Sequence, residues 1–180
     1  ENVPYGTSPS YIGGTPTTAA TAQYSYTSAG CDTEIIAVTG DATYKATYTA
    51  TVNKYTVTWI DEDGTVLETD ENVPYGEKPV YNGEEPTKAS TDEFSYKFDK
   101  FTPVVDYITG DITFTATFIE TRRSYTITWV NDDDTVIDTT TVEYGVVPAH
   151  ADATKANTAE YTYTFAGWDP EVVAVTGNAT

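Results

Sequence analysis

The sequence is short of the residues on which most catalytic and metal sites depend. Its 180 residues include one Cys, one His and no Met. A single Cys excludes an internal disulfide bond and a zinc site built from cysteines. No apolar run reaches the roughly 18 residues that a membrane helix needs, so we expect no membrane insertion. We also predict no cofactor and no metal site.

Basic residues are scarce too, because nine Lys and Arg face 28 Asp and Glu, for a formal net charge of −19. Such a chain repels the phosphates of nucleic acids and the headgroups of anionic membranes. We therefore expect no nucleic-acid partner, whereas neutral glycans, basic proteins and cations are compatible with the charge. The 15 Tyr, six Phe and three Trp predict a folded chain, since disordered acidic segments contain few aromatic residues.

One pattern occurs three times along the chain. Its first landmark is a short block that ends in Tyr-Gly, at Glu1–Gly6, Glu71–Gly76 and Thr140–Gly145. Its second landmark is an aromatic block, at Thr21–Cys31, Thr91–Phe101 and Thr158–Trp168. The spacing of about 70 residues suits a small domain with its own core better than the shorter rung of a solenoid.

The repeat starts most naturally at the strand that reads YTVTW in one copy and YTITW in the next. This places a complete middle repeat at 54–124. Residues 1–53 then form a first repeat that lacks its first hairpin, and residues 125–180 form a third repeat that lacks its last strand. We expect Glu120–Ser124 to be the linker between the middle and third repeats.

Strict alternation of apolar residues with Thr predicts the strands. Tyr55–Trp59 and Phe114–Phe118 alternate in the middle repeat, and the aromatic segment Phe94–Phe98 has a counterpart in Tyr161–Phe165 of the third repeat. One apolar face and one Thr face are typical of a sheet that is wet on one side.

The segments between the strands predict the connections. Asp63-Gly64 indicates a two-residue hairpin turn, and Asp132–Asp134 occupies the same place in the third repeat. The long connection Gly76–Glu93 predicts a crossover, with a short helical turn in Thr87–Glu93 capped by Ser90 or Thr91. The fold prediction is mainly β (α+β at most). It consists of tandem β-grasp-like modules in an elongated array, each a mixed four-stranded sheet with a long crossover. A small β-sandwich is the alternative.

These blocks, in this order, resemble the Listeria–Bacteroides repeat family, which includes the B repeat of internalin-type surface proteins. The resemblance covers essentially the whole chain and rests on YTVTW with DEDGTV, then VPYG, then YTYTFAGWDPE with VTGNAT, and YKATYTA. It implies β-grasp-like modules in long arrays on secreted and wall-attached bacterial proteins, where they act mainly as spacers. The block FAGW at Phe165–Trp168 is replaced by FDKF at Phe98–Phe101 and by SAGC at Ser28–Cys31, which lacks both large side chains.

Cys31 and His150 are the reactive residues that occur only once. Cys31 could act as a nucleophile or a cross-linking thiol, but it aligns with Phe101 and Trp168, and we predict a small apolar core residue. A nucleophilic cysteine would also need a nearby base. His150 lies in the long connection of another repeat, where no other repeat has a His, and we predict a surface residue.

Two acidic clusters, Asp61–Asp63 and Asp132–Asp134, lie at the predicted hairpin tips. Paired carboxylates suggest a glycosidase, and hard oxygen donors suggest calcium. Nothing in the pattern encloses a sugar or raises a carboxyl pKa, and neither cluster is followed by a calcium-binding loop with a closing Glu. We predict solvated turns at both tips.

The tryptophans and the threonine rows are candidate glycan-binding surfaces. Trp59, Trp129 and Trp168 could stack on sugars, but their places in the apolar pattern favour core residues. The Thr residues of Thr113–Thr117 resemble a flat polar binding face, although Thr is also a good strand former that tolerates water. We predict that these residues are structural and that the chain has no catalytic site.

We expect a structural spacer, or stalk, of a secreted or wall-attached bacterial surface protein such as an adhesin, located outside the cell and without catalysis. The informative residues recur in every repeat, whereas catalytic groups occur once. One alternative is a multivalent module that binds a host or cell-surface protein or glycan. Another is a fibre-forming subunit that self-associates by strand exchange at its end strands. Neighbouring repeats of the same array are the expected partners in each case.

Overall fold

The computed structural model describes residues 2–180 as an all-β protein, which confirms the mainly β prediction. No helix occurs among these residues. The strands are β1 (Tyr24–Cys31), β2 (Ala46–Val52), β3 (Lys54–Ile60), β4 (Val66–Pro74), β5 (Phe94–Thr102), β6 (Ile112–Arg122), β7 (Ser124–Val130) and β8 (Val136–Glu143).

The chain divides into two compact units whose boundaries differ from those of the repeats. The first unit comprises Glu1–Glu84 and Phe101–Ala116, and the second comprises Glu85–Lys100 and Thr117–Thr180. Each unit contains one hydrophobic core built around a buried tryptophan of a YTxTW strand.

The middle repeat contains a mixed four-stranded sheet in the order β4-β3-β6-β5. β3 pairs antiparallel with β4 and parallel with β6, with Val57 opposite Ile112 and Ile60 opposite Thr115. A parallel neighbour requires a long crossover, and the chain between β4 and β6 supplies it. The predicted mixed sheet is thus present in the middle repeat, whereas β1–β2 and β7–β8 form two-stranded sheets.

The core of the first unit surrounds Trp59, which is 1% exposed. The alternation of β3 buries Val57 and Trp59 on one face, as the sequence predicts. The ring centroids of Phe114, Phe101 and Tyr81 lie 4.7, 4.8 and 5.5 Å from that of Trp59. This aromatic cluster joins the hairpin, the crossover and β6 into one packed body.

The core of the second unit consists of Ile127, Trp129 and Val175. β7 buries Ile127 and Trp129 by the same alternation as β3. An isolated parallel bridge between Ile127 and Ala179 stands where β3 and β6 pair in the middle repeat.

The predicted strand at Tyr161–Phe165 is not formed in the third repeat. Its counterpart in the middle repeat, β5, is hydrogen-bonded to β6. The described residues of the third repeat include no strand equivalent to β6, so the segment has no neighbour to pair with its backbone groups.

The first repeat has a hairpin but no packed core. β1 and β2 pair from Tyr24 opposite Val52 to Cys31 opposite Ala46. No residue within 2–53 is buried. The reason is that the tryptophan-bearing strand, around which the cores of both other repeats form, has no equivalent in residues 2–53.

The crossover begins with the same backbone bonds in all three repeats, at amide-to-carbonyl distances of 2.7–2.8 Å. The donors are Gly6, Gly76 and Gly145, and the acceptors are Val38, Ile108 and Val175 respectively. These glycines have φ between 77° and 79°, a conformation that other residues adopt only with strain. The Gly of Tyr-Gly therefore recurs because the backbone has a positive φ at this position in each repeat.

The hairpin turn between β3 and β4 is longer than the predicted two-residue turn at Asp63-Gly64. The amide of Asp61 donates to the Thr65 carbonyl at 2.8 Å, and the amide of Gly64 donates to the Asp61 carbonyl at 3.0 Å. Three residues therefore separate the paired ends, and Gly64, with φ of 89°, closes the turn. In the β7–β8 hairpin Asp134 takes this place, with φ of 64°.

The predicted helical turn within Thr87–Glu93 is absent. Thr91 caps no helix. Instead its hydroxyl accepts the Phe94 amide at 2.9 Å, while its own amide donates to the Phe94 carbonyl at 2.9 Å. Such a side-chain bond closes a tight turn and competes with helix formation. The same threonine turn occurs at Thr21 and at Thr158.

Candidate functional site

The thiol of Cys31 is exposed, so the prediction of a core residue is wrong. Cys31 ends β1, where Phe101 stands in the middle repeat and packs against Trp59. Because the first repeat has no tryptophan-bearing strand within 2–53, the position has no core to join. Cys31 is an accessible thiol at the end of a two-stranded sheet.

His150 is not a surface residue, contrary to the prediction. Its side chain is 16% exposed, and its ring lies 5.0 Å from that of Trp129 and 5.4 Å from that of Trp168. It occupies the place of Tyr81, two residues after the shared Pro, which packs on Trp59. The sequence signal for this position was an aromatic residue two places after the shared Pro, where a His ring can replace a Tyr ring.

The acidic hairpin tips are closed by their own carboxylates. Asp63 Oδ1 accepts the Thr65 amide at 2.8 Å, and Asp133 Oδ1 accepts the Thr135 amide at 3.1 Å. Bonds from the amide and hydroxyl of Thr65 lower the pKa of Asp63, and bonds from the hydroxyl and amide of Thr135 lower that of Asp133. Both aspartates are exposed, in agreement with the predicted solvated turns.

Lys155 is the basic residue that approaches the tip of the third repeat. Its ammonium group donates to the Asp132 carboxylate, and this hydrogen bond raises the pKa of Lys155. The ammonium group also lies 4.9 Å from the ring centroid of Tyr163. The contact fastens the crossover to the hairpin tip and offsets one of the three aspartate charges there.

Trp59 and Trp129 are core residues, as predicted. They are 1% and 5% exposed, and Trp168 is half-buried against Trp129 with ring centroids 4.8 Å apart. In the threonine row, Thr113 is exposed, whereas the hydroxyl of half-buried Thr117 donates to the Lys100 carbonyl at 2.9 Å. Part of that face is therefore occupied by structural bonds.

Glu68 on β4 holds the crossover loop. Its carboxylate accepts the amides of Asn82 and Gly83 at 2.8 and 2.9 Å, and the Asn82 side-chain amide at 3.2 Å. Burial alone would raise the pKa of Glu68, but these hydrogen bonds outweigh it and lower the pKa. Burial, and then the negative charge of Glu68, raise the pKa of Tyr81 beside it.

The most elaborate polar arrangement that recurs lies where one repeat meets the next. The predicted linker Glu120–Ser124 is in fact a single residue, because β6 continues to Arg122 and β7 begins at Ser124. Arg123 alone separates them, just as Asn53 alone separates β2 from β3. We call these two places the first and second joints.

The first joint lies within the first compact unit. The amide of Asn53 donates to the Gln23 carbonyl at 2.9 Å, and its carbonyl accepts the Tyr75 amide at 2.9 Å. Its side-chain Nδ2 donates to the carbonyls of Thr21 and Ala22 at 2.8 and 3.0 Å. Asn53 therefore bonds to the threonine turn of the first repeat and to the end of β4 in the middle repeat.

The hydroxyl of Tyr55 completes the first joint. It donates to the Ala22 carbonyl at 2.6 Å, so the first strand of the middle repeat also bonds directly to the turn before β1. The threonine turn holds these carbonyls in place, because the amide and hydroxyl of Thr21 both bond to Tyr24.

The second joint, within the second compact unit, has the same plan with a different side chain. The amide of Arg123 donates to the Glu93 carbonyl at 2.8 Å, and its carbonyl accepts the Tyr144 amide at 2.9 Å. Its Nη1 donates to the Thr91 carbonyl at 2.7 Å. The hydroxyl of Tyr125 donates to the Asp92 carbonyl at 2.6 Å, as Tyr55 does in the first joint.

Sequence reasoning missed the joints because Asn53 and Arg123 have no chemistry in common that a pattern would reveal. The available signal was Tyr55 and Tyr125, the first residue of each YTxTW strand. A phenylalanine at the start of this strand would fill the core equally well. A tyrosine there therefore indicates that its hydroxyl has a hydrogen-bond partner.

Two further features of the described residues bear on ligand binding. No group of three or more His, Cys, Asp or Glu side chains within residues 2–180 is placed to hold a metal ion. An open groove of about 920 Å³ lies in the first repeat, with Tyr5, Tyr11 and Tyr44 among its lining residues. It occupies the side of the first repeat on which the tryptophan-bearing strand packs in the middle repeat.

Comparison with known proteins gives no relative for this chain, since no family model, curated protein or solved structure matches it. Within the described residues, no helix has the length and apolar character needed to cross a membrane.

Proposed function

We propose that the chain is a structural spacer made of tandem β-grasp-like repeats, part of the stalk of a secreted or wall-attached bacterial surface protein. Its task is to hold another domain away from the cell, without catalysis of its own. The resemblance to the Listeria–Bacteroides repeats suggested this role, and the extracellular location belongs to the same proposal.

The observation that carries the proposal is the recurrence of scaffold contacts. The glycine bonds of the crossover, the threonine turns and the joints use equivalent positions in successive repeats. The residues that occur once have scaffold positions as well, since His150 replaces a core tyrosine and Cys31 a core phenylalanine. Repetition of scaffold is what a spacer requires, because its length is its function.

A display experiment tests the proposal. Chains with one, two or three copies of residues 54–124 inserted after the middle repeat would be anchored on a cell and tipped with a peptide tag. A spacer predicts that access of a large antibody to the tag improves with each copy. A flexible Gly/Ser linker with the same number of residues is the control. Access that depends on neither copy number nor linker type would contradict the spacer role.

A further inference from the structure

The two joints differ from an ordinary peptide linker in one respect. A single residue between two strands would normally leave its amide and carbonyl to water and rotate freely about its backbone. At residues 53 and 123 the amide bonds to the preceding repeat and the carbonyl accepts a bond from the following repeat. Rotation at this residue therefore breaks bonds on both sides.

The side chains add a second attachment by different chemistry. Asn53 places its amide group against two carbonyls of the threonine turn, whereas Arg123 extends its guanidinium group to one carbonyl of the equivalent turn. The guanidinium group of Arg123 also lies 5.1 Å from the ring centroid of Tyr125. The attachment thus survives a complete change of residue type, which indicates that the bond to the turn is the shared requirement.

The hydroxyls of Tyr55 and Tyr125 supply the third attachment, in the same geometry at both joints. Each lies 2.6 Å from the carbonyl of the middle residue of the turn, Ala22 or Asp92. Arg122 reinforces the second joint, because its guanidinium group lies 2.8 Å from the Glu93 carboxylate and donates to the Tyr144 carbonyl at 3.3 Å.

We propose that the threonine turn of each repeat is a docking surface for the first strand of the following repeat, and that residues 53 and 123 lock the two together. Each joint then resists rotation between the strands on its two sides, as a flexible linker would not. This inference rests on the proposed spacer function and deepens it, since it states how the spacer keeps its length. The partner of each turn is the next repeat of the same chain.

Distance measurements between spin labels test the lock at each joint. For the first joint the labels are attached to native Cys31 and to Val66→Cys, two exposed positions in different repeats. For the second joint they are attached to Lys100→Cys and Val136→Cys in a Cys31→Ser background. A stiff joint predicts one narrow distance distribution in each case.

An unlocked variant removes the side-chain attachments that the two joints have in common but none of the core. It combines Asn53→Ala, Tyr55→Phe, Arg123→Ala and Tyr125→Phe. We expect its distance distributions to widen by about twofold or more, towards those of a flexible linker. The matched control combines Asn2→Ala, Tyr26→Phe, Tyr96→Phe and Lys97→Ala, which remove one side-chain amide, two phenol hydroxyls and one cation away from the joints and should leave the widths unchanged.

The backbone hydrogen bonds of the joint remain in the unlocked variant and could hold it without the side chains. A second variant therefore removes the backbone bonds. Insertion of Gly-Gly after Asn53 displaces the residue from both of its partners, and circular dichroism checks that the strands persist. Wide distributions in the unmodified chain, or unchanged widths in the inserted variant, would overturn the lock. A failure of the display experiment with narrow distributions would instead refute the spacer role and leave the lock intact.

Discussion

At the scale of single residues, Trp59 is the largest fully buried side chain of the middle repeat. It touches aromatic rings from the crossover, from β5 and from β6. Its Nε1 donates to Asp70 Oδ2 at 2.9 Å, so its one polar atom is satisfied as well. No other residue joins as many parts of the repeat.

The replacement Trp59→Ala should destabilise the middle repeat by about 3–5 kcal/mol, because it removes an aromatic side chain and leaves a cavity. Native-state hydrogen exchange at the Phe114 amide measures the free energy of opening of the middle repeat. The exposed Tyr107 is the control, and Tyr107→Ala should change the free energy of opening by less than about 0.5 kcal/mol. Equal effects of the two replacements would mean that the aromatic cluster is not the core.

Glu68 predicts a dependence of stability on pH. Its hydrogen bonds to the crossover hold its pKa in the folded chain below the ordinary value of 4.5. A carboxyl whose pKa is lowered by folding contributes stability that is fully present above pH 4.5. This contribution declines as the pH falls from there and is lost once the pH passes below the folded-state pKa.

The comparison of Glu68→Gln with the unmodified chain isolates this effect. The difference in unfolding free energy should be largest near neutral pH and should shrink as the pH falls below 4.5. Glu71→Gln removes the same charge from an exposed position of the same strand and controls for the general acidity of the chain. A Glu68→Gln difference that stays constant from neutral to acid pH would show that the bonds to Asn82 and Gly83 do not matter.

At this scale the sequence predicted the burial of the large residues Trp59 and Trp129. It did not predict the surroundings of Cys31 and His150. Trp59 and Trp129 were predicted from alternation, because a strand with one buried face leaves no other place for them. Cys31 was misplaced because alignment with Phe101 assumed a core that the first repeat does not have. His150 was misplaced because the lack of a His at this place in the other repeats was taken to indicate a surface position, whereas its ring takes the place of the Tyr81 ring.

At the scale of elements, the hairpin turns show how one backbone requirement is met by two residue types. Gly64 and Asp134 close equivalent turns with φ of 89° and 64°. Glycine adopts this conformation without strain, whereas an aspartate pays a steric cost that its short polar side chain only partly reduces.

The replacement Asp134→Gly should therefore stabilise the β7–β8 hairpin by about 0.5–1 kcal/mol. The reciprocal replacement Gly64→Ala should destabilise the β3–β4 hairpin by a similar amount or more. Hydrogen exchange at the amides of Trp129 and Trp59, which lie opposite Asp138 on β8 and Glu68 on β4, follows the two hairpins separately. The reasoning fails if Gly64→Ala has no effect, since the turn would then not depend on the left-handed conformation.

Sequence periodicity predicted the strands of the middle repeat well, because both faces of each strand have distinct environments there. It failed for Tyr161–Phe165, whose alternation is as strict as that of β5. Alternation of apolar and polar residues predicts which face of a strand is buried, but the strand forms only if a neighbouring strand can pair with its backbone. The predicted helical turn failed for a related reason, since a threonine hydroxyl can cap a helix or close a turn, and that of Thr91 closes a turn.

At the scale of the whole molecule, two effects act between neighbouring repeats. Charge repulsion follows from the net charge of −19 and acts through solvent, whereas the joints act through direct hydrogen bonds. The tyrosine hydroxyls of the joints left a signal in the sequence, but their acceptors could not be predicted from it, because every residue has a backbone carbonyl. Salt separates the two effects, since the screening length falls from about 10 Å at 0.1 M to about 3 Å at 1 M.

If the joints dominate, the radius of gyration from small-angle scattering should be nearly the same at both salt concentrations for the unmodified chain. The unlocked variant should contract at 1 M salt, because only repulsion then keeps its repeats apart. Each inserted copy of residues 54–124 should add about 30 Å to the maximum dimension, the diameter of a compact domain of that size. Contraction of the unmodified chain to the same extent as the variant would show that charge, and not hydrogen bonding at Asn53 and Arg123, sets the length of the array.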